Sequence, residues 1–165
     1  MSVACLRAYK PFFEGLGTLL SGPPALYHAH FDPHPPPAAL TDSSSLATET
    51  ITLYFPPSYS SEDQKEVETN VQKLIDVIAK HADGYKASVG GWVEEELPLP
   101  GESEKAKAYV GLIAWVSVEA HLRFRETQVF KDNIHFLRGA KDLKTVRMVH
   151  VSFKEVKSGS GGASW

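Results

Sequence analysis

The clearest periodicity in the chain lies between residues 61 and 81, where Val67, Val71, Leu74, Ile75 and Ile78 fall at i, i+4, i+7, i+8 and i+11. That spacing draws one apolar stripe along a helix. Ser61 followed by Gln64 offers a cap at its start, and "ADG" ends it. A different pattern precedes it. "TETITLYF" (48–55) alternates polar and apolar positions, with Thr and Ile favouring a strand, and "PPSYSSEDQ" stops it. "YKASVGGWVEEEL" reads as a second strand whose Gly-Gly pair predicts a bulge. "AKAYVGLIAWVS" is nearly continuous in apolar residues and so predicts a strand buried on both faces. "WVSVEAHLRFRETQVFK" (115–131) turns polar and predicts one or two short helices ending near Gly139, and "KTVRMVHVSFKEV" is the last strand.

The order over residues 47–156 is therefore β-α-β-β-α-β. It predicts an α+β fold: a ferredoxin-like antiparallel sheet with helices on one face. Its other face needs cover, and a second sheet is the common solution. Residues 1–46 precede this domain as a helix-strand unit and a Pro-rich linker. Leu6, Tyr9, Phe13, Leu16 and Leu20 are helically spaced, "ALYHAHF" (25–31) reads as a short strand, and "DPHPPPAALTDSSS" reads as a surface crossover. "ALYHAHFDP" echoes "VRMVHVSFKE", with His28 against His150 and Phe31 against Phe153, so the N-terminal segment reads as part of a repeated copy whose strand extends the sheet. Residues 157–165 read as a flexible tail.

With 165 residues the chain suits one domain with a core. A formal net charge of −3 gives no basic footprint for nucleic acid and no polybasic membrane anchor. One cysteine, Cys5, allows no intrachain disulfide and fits a reducing compartment. The N-terminal stretch has neither a long apolar run nor a clear cleavage site, and the cytoplasm is the expected location. No phosphate-cradling glycine loop, nucleophile elbow or HExxH motif is present in the sequence.

The stretch after the third strand carries a resemblance. Trp115, Ser117, Glu119, His121, Phe124, Arg125, Phe130 and Lys131 resemble the "W-x-S-x-E…F…F" signature of the dimeric α+β barrel superfamily, in its antibiotic-biosynthesis-monooxygenase-like branch. The layout over residues 47–156 is similar to fungal members of that branch. The resemblance implies a homodimer. It leaves function open among heme-degrading oxygenases, cofactor-free quinone-forming oxygenases, polyketide cyclases, decarboxylases, dehalogenation-type enzymes and stress proteins. Where heme-degrading members carry a tryptophan and the heme histidine, this chain has Phe124 and Ile134, and no Asn stands in the first strand. Where plant polyketide cyclases carry a Tyr/His pair, it has Phe124 and Phe130. The expectation is an enzyme that needs no cofactor and no metal.

Candidate chemistry rests on histidines. His28 and His30 share one side of a strand, and His150 stands at their echo position. Three imidazoles at one cavity would serve acid/base work, or bind a metal, although no carboxylate beyond Asp32 completes such a set. The alternative is that His28 and His30 are buried on backbone partners or exposed at an edge. His121 and Arg125 lie one helical turn apart, able to hold an enolate or carboxylate, or else form part of an ion-paired corner with Glu119 or Asp132. Tyr27, Tyr54, Trp92, Tyr109 and Phe124 are candidates to line a pocket for a flat aromatic substrate, and alternatively make core and dimer interface. Glu94, Glu95 and Glu96 read as a solvated strand end. Two functions follow. One is a cofactor-independent isomerase, cyclase or related lyase or oxygenase acting on a small aromatic or polyketide-type metabolite. The other is a non-catalytic dimeric stress or small-molecule-binding protein.

Overall fold

The computed structural model describes residues 10–11, 14–22, 26–33, 40 and 47–153. The expected Pro-rich crossover falls mostly outside the described residues, the C-terminal tail wholly so, and the N-terminal helix is described only in part, with a helical turn at residues 14–17.

The first strand, β1, is Ala47–Phe55, followed by helix α1, Ser61–His81. Next come β2 (Tyr85–Trp92), a two-residue β3 (Leu97–Pro98) and the long β4 (Lys105–Trp115). Three short helices, α2 (Val118–Glu126), α3 (Gln128–Asn133) and α4 (His135–Arg138), lead to β5 (Thr145–Val151). The sheet runs β2-β4-β1-β5, with β3 added on β4, and β2–β4, β4–β1 and β1–β5 are all antiparallel. Two central strands that are not neighbours in sequence, flanked by the two that are linked to them through helices, is the ferredoxin-like order that the element pattern implies. The strand β4 is buried along most of its length because it is central and covered on both faces.

Alternation assigns the faces. Ile51, Leu53, Phe55, Tyr109, Ile113 and Trp115 point to the helices, where Val67, Leu74, Ile78, Phe124 and Leu137 complete the main core. Tyr54, Ala106, Ala108 and Val110 point the other way. Within the chain, that face is covered in part by Ala29, Phe31 and Leu40.

Local details differ from the sequence expectation. The cap of α1 is Ser60, whose hydroxyl accepts from the Asp63 amide at 3.1 Å. The irregularity in β2 lies between Tyr85 and Ala87, not at the glycine pair. Gly90 and Gly91 serve close approach instead: a Cβ on Gly91 would collide with the His30 carbonyl, and one on Gly90 with the Tyr109 hydroxyl. Residues 28–32 run along the free edge of β2 as isolated bridges, Ala29 to Val93 and Asp32 to Gly90, rather than as a full strand. The His30 amide donates to the Trp92 carbonyl at 3.3 Å and the Asp32 amide to that of Gly90 at 3.0 Å. This strap and β5 therefore lie at opposite edges of the sheet, whatever their sequence echo. No helix among the described residues is long and apolar enough to cross a membrane.

Candidate active site

The site begins where β4 ends. Trp115 closes the strand with no exposed surface, and Ser117 caps α2 by accepting from the Ala120 amide at 3.1 Å. The helix thus starts two residues past the strand, and its first turn swings His121 back over Trp115, ring on ring at 4.9 Å and 24°. The next turn brings Phe124 into the core beside Trp115 and Phe130. Arg125, one turn after His121, extends past the Phe130 ring at 6.0 Å.

The imidazole of His121 uses both nitrogens. Its Nε2 lies 3.3 Å from Glu49 Oε2 on β1, and its Nδ1 lies 2.8 Å from His150 Nε2 on β5. Glu49 and His121 are almost fully buried, while His150 is half-buried. Glu49 is a residue that the sequence reading passed over. Its signal was present: it shares parity with Ile51, Leu53 and Phe55, so a carboxylate sits where alternation demands an apolar side chain.

Burial raises the Glu49 carboxyl from 4.5 to about 7, and Arg125 and the Trp115 indole N–H offset part of that rise. Trp115 Nε1 makes no full hydrogen bond, although it lies close enough to favour the carboxylate. Burial, aided by the nearby His150 and Arg125, lowers His121 from 6.5 to about 4. Near neutral pH His121 is thus a neutral imidazole beside a carboxyl that readily changes charge. Two groups whose environments push their proton affinities apart make an acid/base pair.

A cavity of about 90 Å³ opens beside this pair, walled by Glu49, Trp115, His121, Phe124, Arg125 and Arg138 among mostly apolar neighbours. A second cavity of about 90 Å³ adjoins it across Ile51, Leu74, Ile113 and Leu137, and reaches Tyr109 and Asp32. Neither arginine forms an ion pair among the described residues, so the corner pairing of Arg125 with Glu119 or Asp132 is not formed. Among the described residues, no three His, Cys, Asp or Glu side chains are placed to hold a metal ion. His121 stands in the middle of a chain of contacts, not at one vertex of a triangle around an ion.

The structure brings together only part of the expected set. His121, Arg125 and His150 meet. His28 and His30 do not join them. At the opposite edge of the sheet, His28 gives its amide to Glu95 at 2.7 Å and sets Nδ1 2.6 Å from the same carboxylate, while His30 pairs with Glu94. Their partners come from the "VEEEL" run, which fastens the strap rather than only facing solvent. The three-imidazole cavity is corrected to a two-histidine, one-carboxylate site because the strap and β5 lie on different edges. Phe124 walls the cavity at His121, Tyr109 the adjoining one, and Trp92 a separate recess of about 360 Å³ shared with His30. Tyr54 is buried on the opposite face of the sheet, and Tyr27 is exposed, so neither lines the cavity.

No protein-family model matches the chain, and no curated protein does. Among solved structures, a monooxygenase from the gene ActVA-Orf6 of Streptomyces coelicolor, in complex with the ligand nanaomycin D, matches with a TM-score of 0.49 and 16% identity, over 72% of this chain and 96% of that one. SnoaB, a cofactor-independent oxygenase from Streptomyces nogalater, matches at 0.42 and 13%, over 71% and 99%. A protein from Lactobacillus acidophilus NCFM matches at 0.44 and 12%, with 67% of this chain spanning 46% of that one. The ferredoxin-like order stands on the strand pairing itself, and the chemistry on the residues of the site.

Proposed function

We propose that the protein is a cofactor-independent enzyme of isomerase or cyclase type, acting on a small hydrophobic, aromatic metabolite by acid/base catalysis at Glu49 and His121. The observation that carries this reading is the convergence of a buried carboxyl, a neutral imidazole and an arginine on one apolar cavity. In the cavity, the Glu49 carboxylate or the His121 imidazole takes a proton from carbon beside a carbonyl. Arg125 steadies the charge that develops on the oxygen, and the proton returns at another atom, so no redox partner is called on. Trp115, Phe124 and Phe130 supply aromatic walls that favour a flat ring. Arg125 and Arg138 favour a substrate that carries or develops negative charge.

A second copy of the chain is the proposed protein partner. Strand β5 is an edge strand of the sheet, with Val149 and Val151 exposed on it. Sedimentation of the purified protein tests this, and a monomer at micromolar concentration contradicts it.

The catalytic reading is tested by screening phenols, naphthols, anthrones and chalcone-like ketones by thermal shift, then assaying each binder for turnover. A ligand that binds the native state raises its stability. Turnover of one class, lost in Glu49→Gln and His121→Gln variants that still bind it, supports the reading. Binding without turnover of any class overturns it in favour of a small-molecule-binding protein.

A further inference from the structure

We propose that His150 is the proton conduit between the buried Glu49–His121 pair and water. This rests on the acid/base reading of the pair but concerns a different residue. His150 does not wall the cavity; Glu49 and His121 do. It stands behind His121 on the edge strand, half-buried, with Nε2 2.8 Å from His121 Nδ1. Glu49, His121 and His150 therefore form one continuous chain from cavity to surface, with contacts of 3.3 and 2.8 Å. The other charged or polar groups facing His121 are Arg125 on its own helix, Arg138 across the cavity and the Trp115 indole beneath it. None of these passes protons near neutral pH, because arginine stays protonated and an indole N–H only donates.

The transfer balances. With the proton on Glu49, the carboxyl donates to His121 Nε2, and His121 Nδ1–H donates to His150 Nε2. The carboxyl proton moves to His121 Nε2, the Nδ1 proton moves to His150 Nε2, and His150 releases its own Nδ1 proton to water. Glu49 is left as carboxylate, each imidazole is left neutral in its other tautomer, and one proton has gained the solvent. The reverse shift returns one. Glu49 has no other described titratable side chain within hydrogen-bond reach.

The test needs no substrate. In protein labelled with 15N-histidine, exchange of the His121 ring N–H with water is measured by saturation transfer for the unaltered protein and for His150→Gln. Glutamine keeps a hydrogen-bonding atom near His121 Nδ1 but does not relay a proton. Exchange about tenfold slower or more in His150→Gln, with an unchanged melting temperature, is the expected result. If the glutamine variant does not fold, His150→Asn is read in the same way. There a merely structural role predicts faster exchange as water enters, and the relay predicts slower. Unchanged or faster exchange in a folded variant overturns the proposal, while leaving intact any loss of turnover in Glu49→Gln. Slow exchange without turnover of any probe instead contradicts the catalytic reading alone.

Discussion

Glu49 Oε2 lies 3.3 Å from His121 Nε2, with 9% and 4% of the two side chains exposed. In so dry a place the pair holds its proton on the carboxyl, where unfolded chain would hold it on the imidazole. The acid has its affinity raised from 4.5 to about 7, and the base has its affinity lowered from 6.5 to about 4.

The two shifts oppose each other in their effect on stability. Above pH 4.5, unfolded Glu49 releases a proton that the folded state keeps until about 7, so this group removes stability as pH rises through that window. Below 6.5, unfolded His121 takes up a proton that the folded state refuses until about 4, so this group removes stability as pH falls. Where the windows overlap the two slopes cancel. We predict that Glu49→Gln unmasks the histidine: with the carboxyl's opposing slope removed, stability relative to the unaltered protein rises between pH 4.5 and about 7. His121→Gln unmasks the carboxyl: with the histidine's slope removed, relative stability falls between about pH 4 and 6.5. Each slope is at most about 1.4 kcal/mol per pH unit. Urea titrations at half-unit pH steps measure them, and two parallel curves would refute the linkage.

Trp115 carries the sheet, α2 and the site at once. Its replacement by alanine is expected to lower stability by about 3–5 kcal/mol, since the cavity is walled by strand and helix that cannot collapse into it. Leu122, on the same helix but 45% exposed, is the control, with a change of about 0.5 kcal/mol or less for alanine. Equilibrium denaturation compares the two.

For a turned-over probe, Arg125→Ala is expected to reduce kcat by about 100-fold or more, as loss of a donor to a developing oxyanion does elsewhere. Glu49→Gln should reduce it by about 100- to 10,000-fold. His30→Ala should leave it unchanged, because His30 sits at the other edge of the sheet. Loss of turnover in His30→Ala would move the site.

Gly91→Ala should push the strap off β2, since the new methyl meets the His30 carbonyl. A loss of about 1–3 kcal/mol is expected. Hydrogen exchange gives the local reading: the His30 and Asp32 amides, which bond to Trp92 and Gly90, should lose protection while those of β1 keep it.

Much of the frame was legible in the chain. The period of Val67, Val71, Leu74 and Ile78 placed α1 over about residues 61–81, and the apolar run of β4 announced a central strand. The ferredoxin-like order followed from the sequence of elements. Errors clustered where local chemistry has more than one use. Adjacent glycines allow a bulge or a close crossing, and at Gly91 a crossing won. Consecutive serines allow two caps, and Ser60 outcompeted Ser61 because its hydroxyl reaches the Asp63 amide.

By itself, the sequence determined the periodic elements, the signature that ends β4 in Trp115 and the one-turn spacing of His121 and Arg125. These depend on neighbours a few residues apart, and local spacing is what a linear pattern records. Only the tertiary structure decided which histidines meet. Glu49, His121 and His150 come from β1, α2 and β5, and their approach depends on strand order and on the direction in which α2 leaves the sheet. His28 and His30 read as equal candidates until the strap was found on the far edge. Burial finished the selection: the same residue types make open hydrogen-bonded contacts at the edge, and under α2 they become a pair with shifted proton affinities because burial penalises charge.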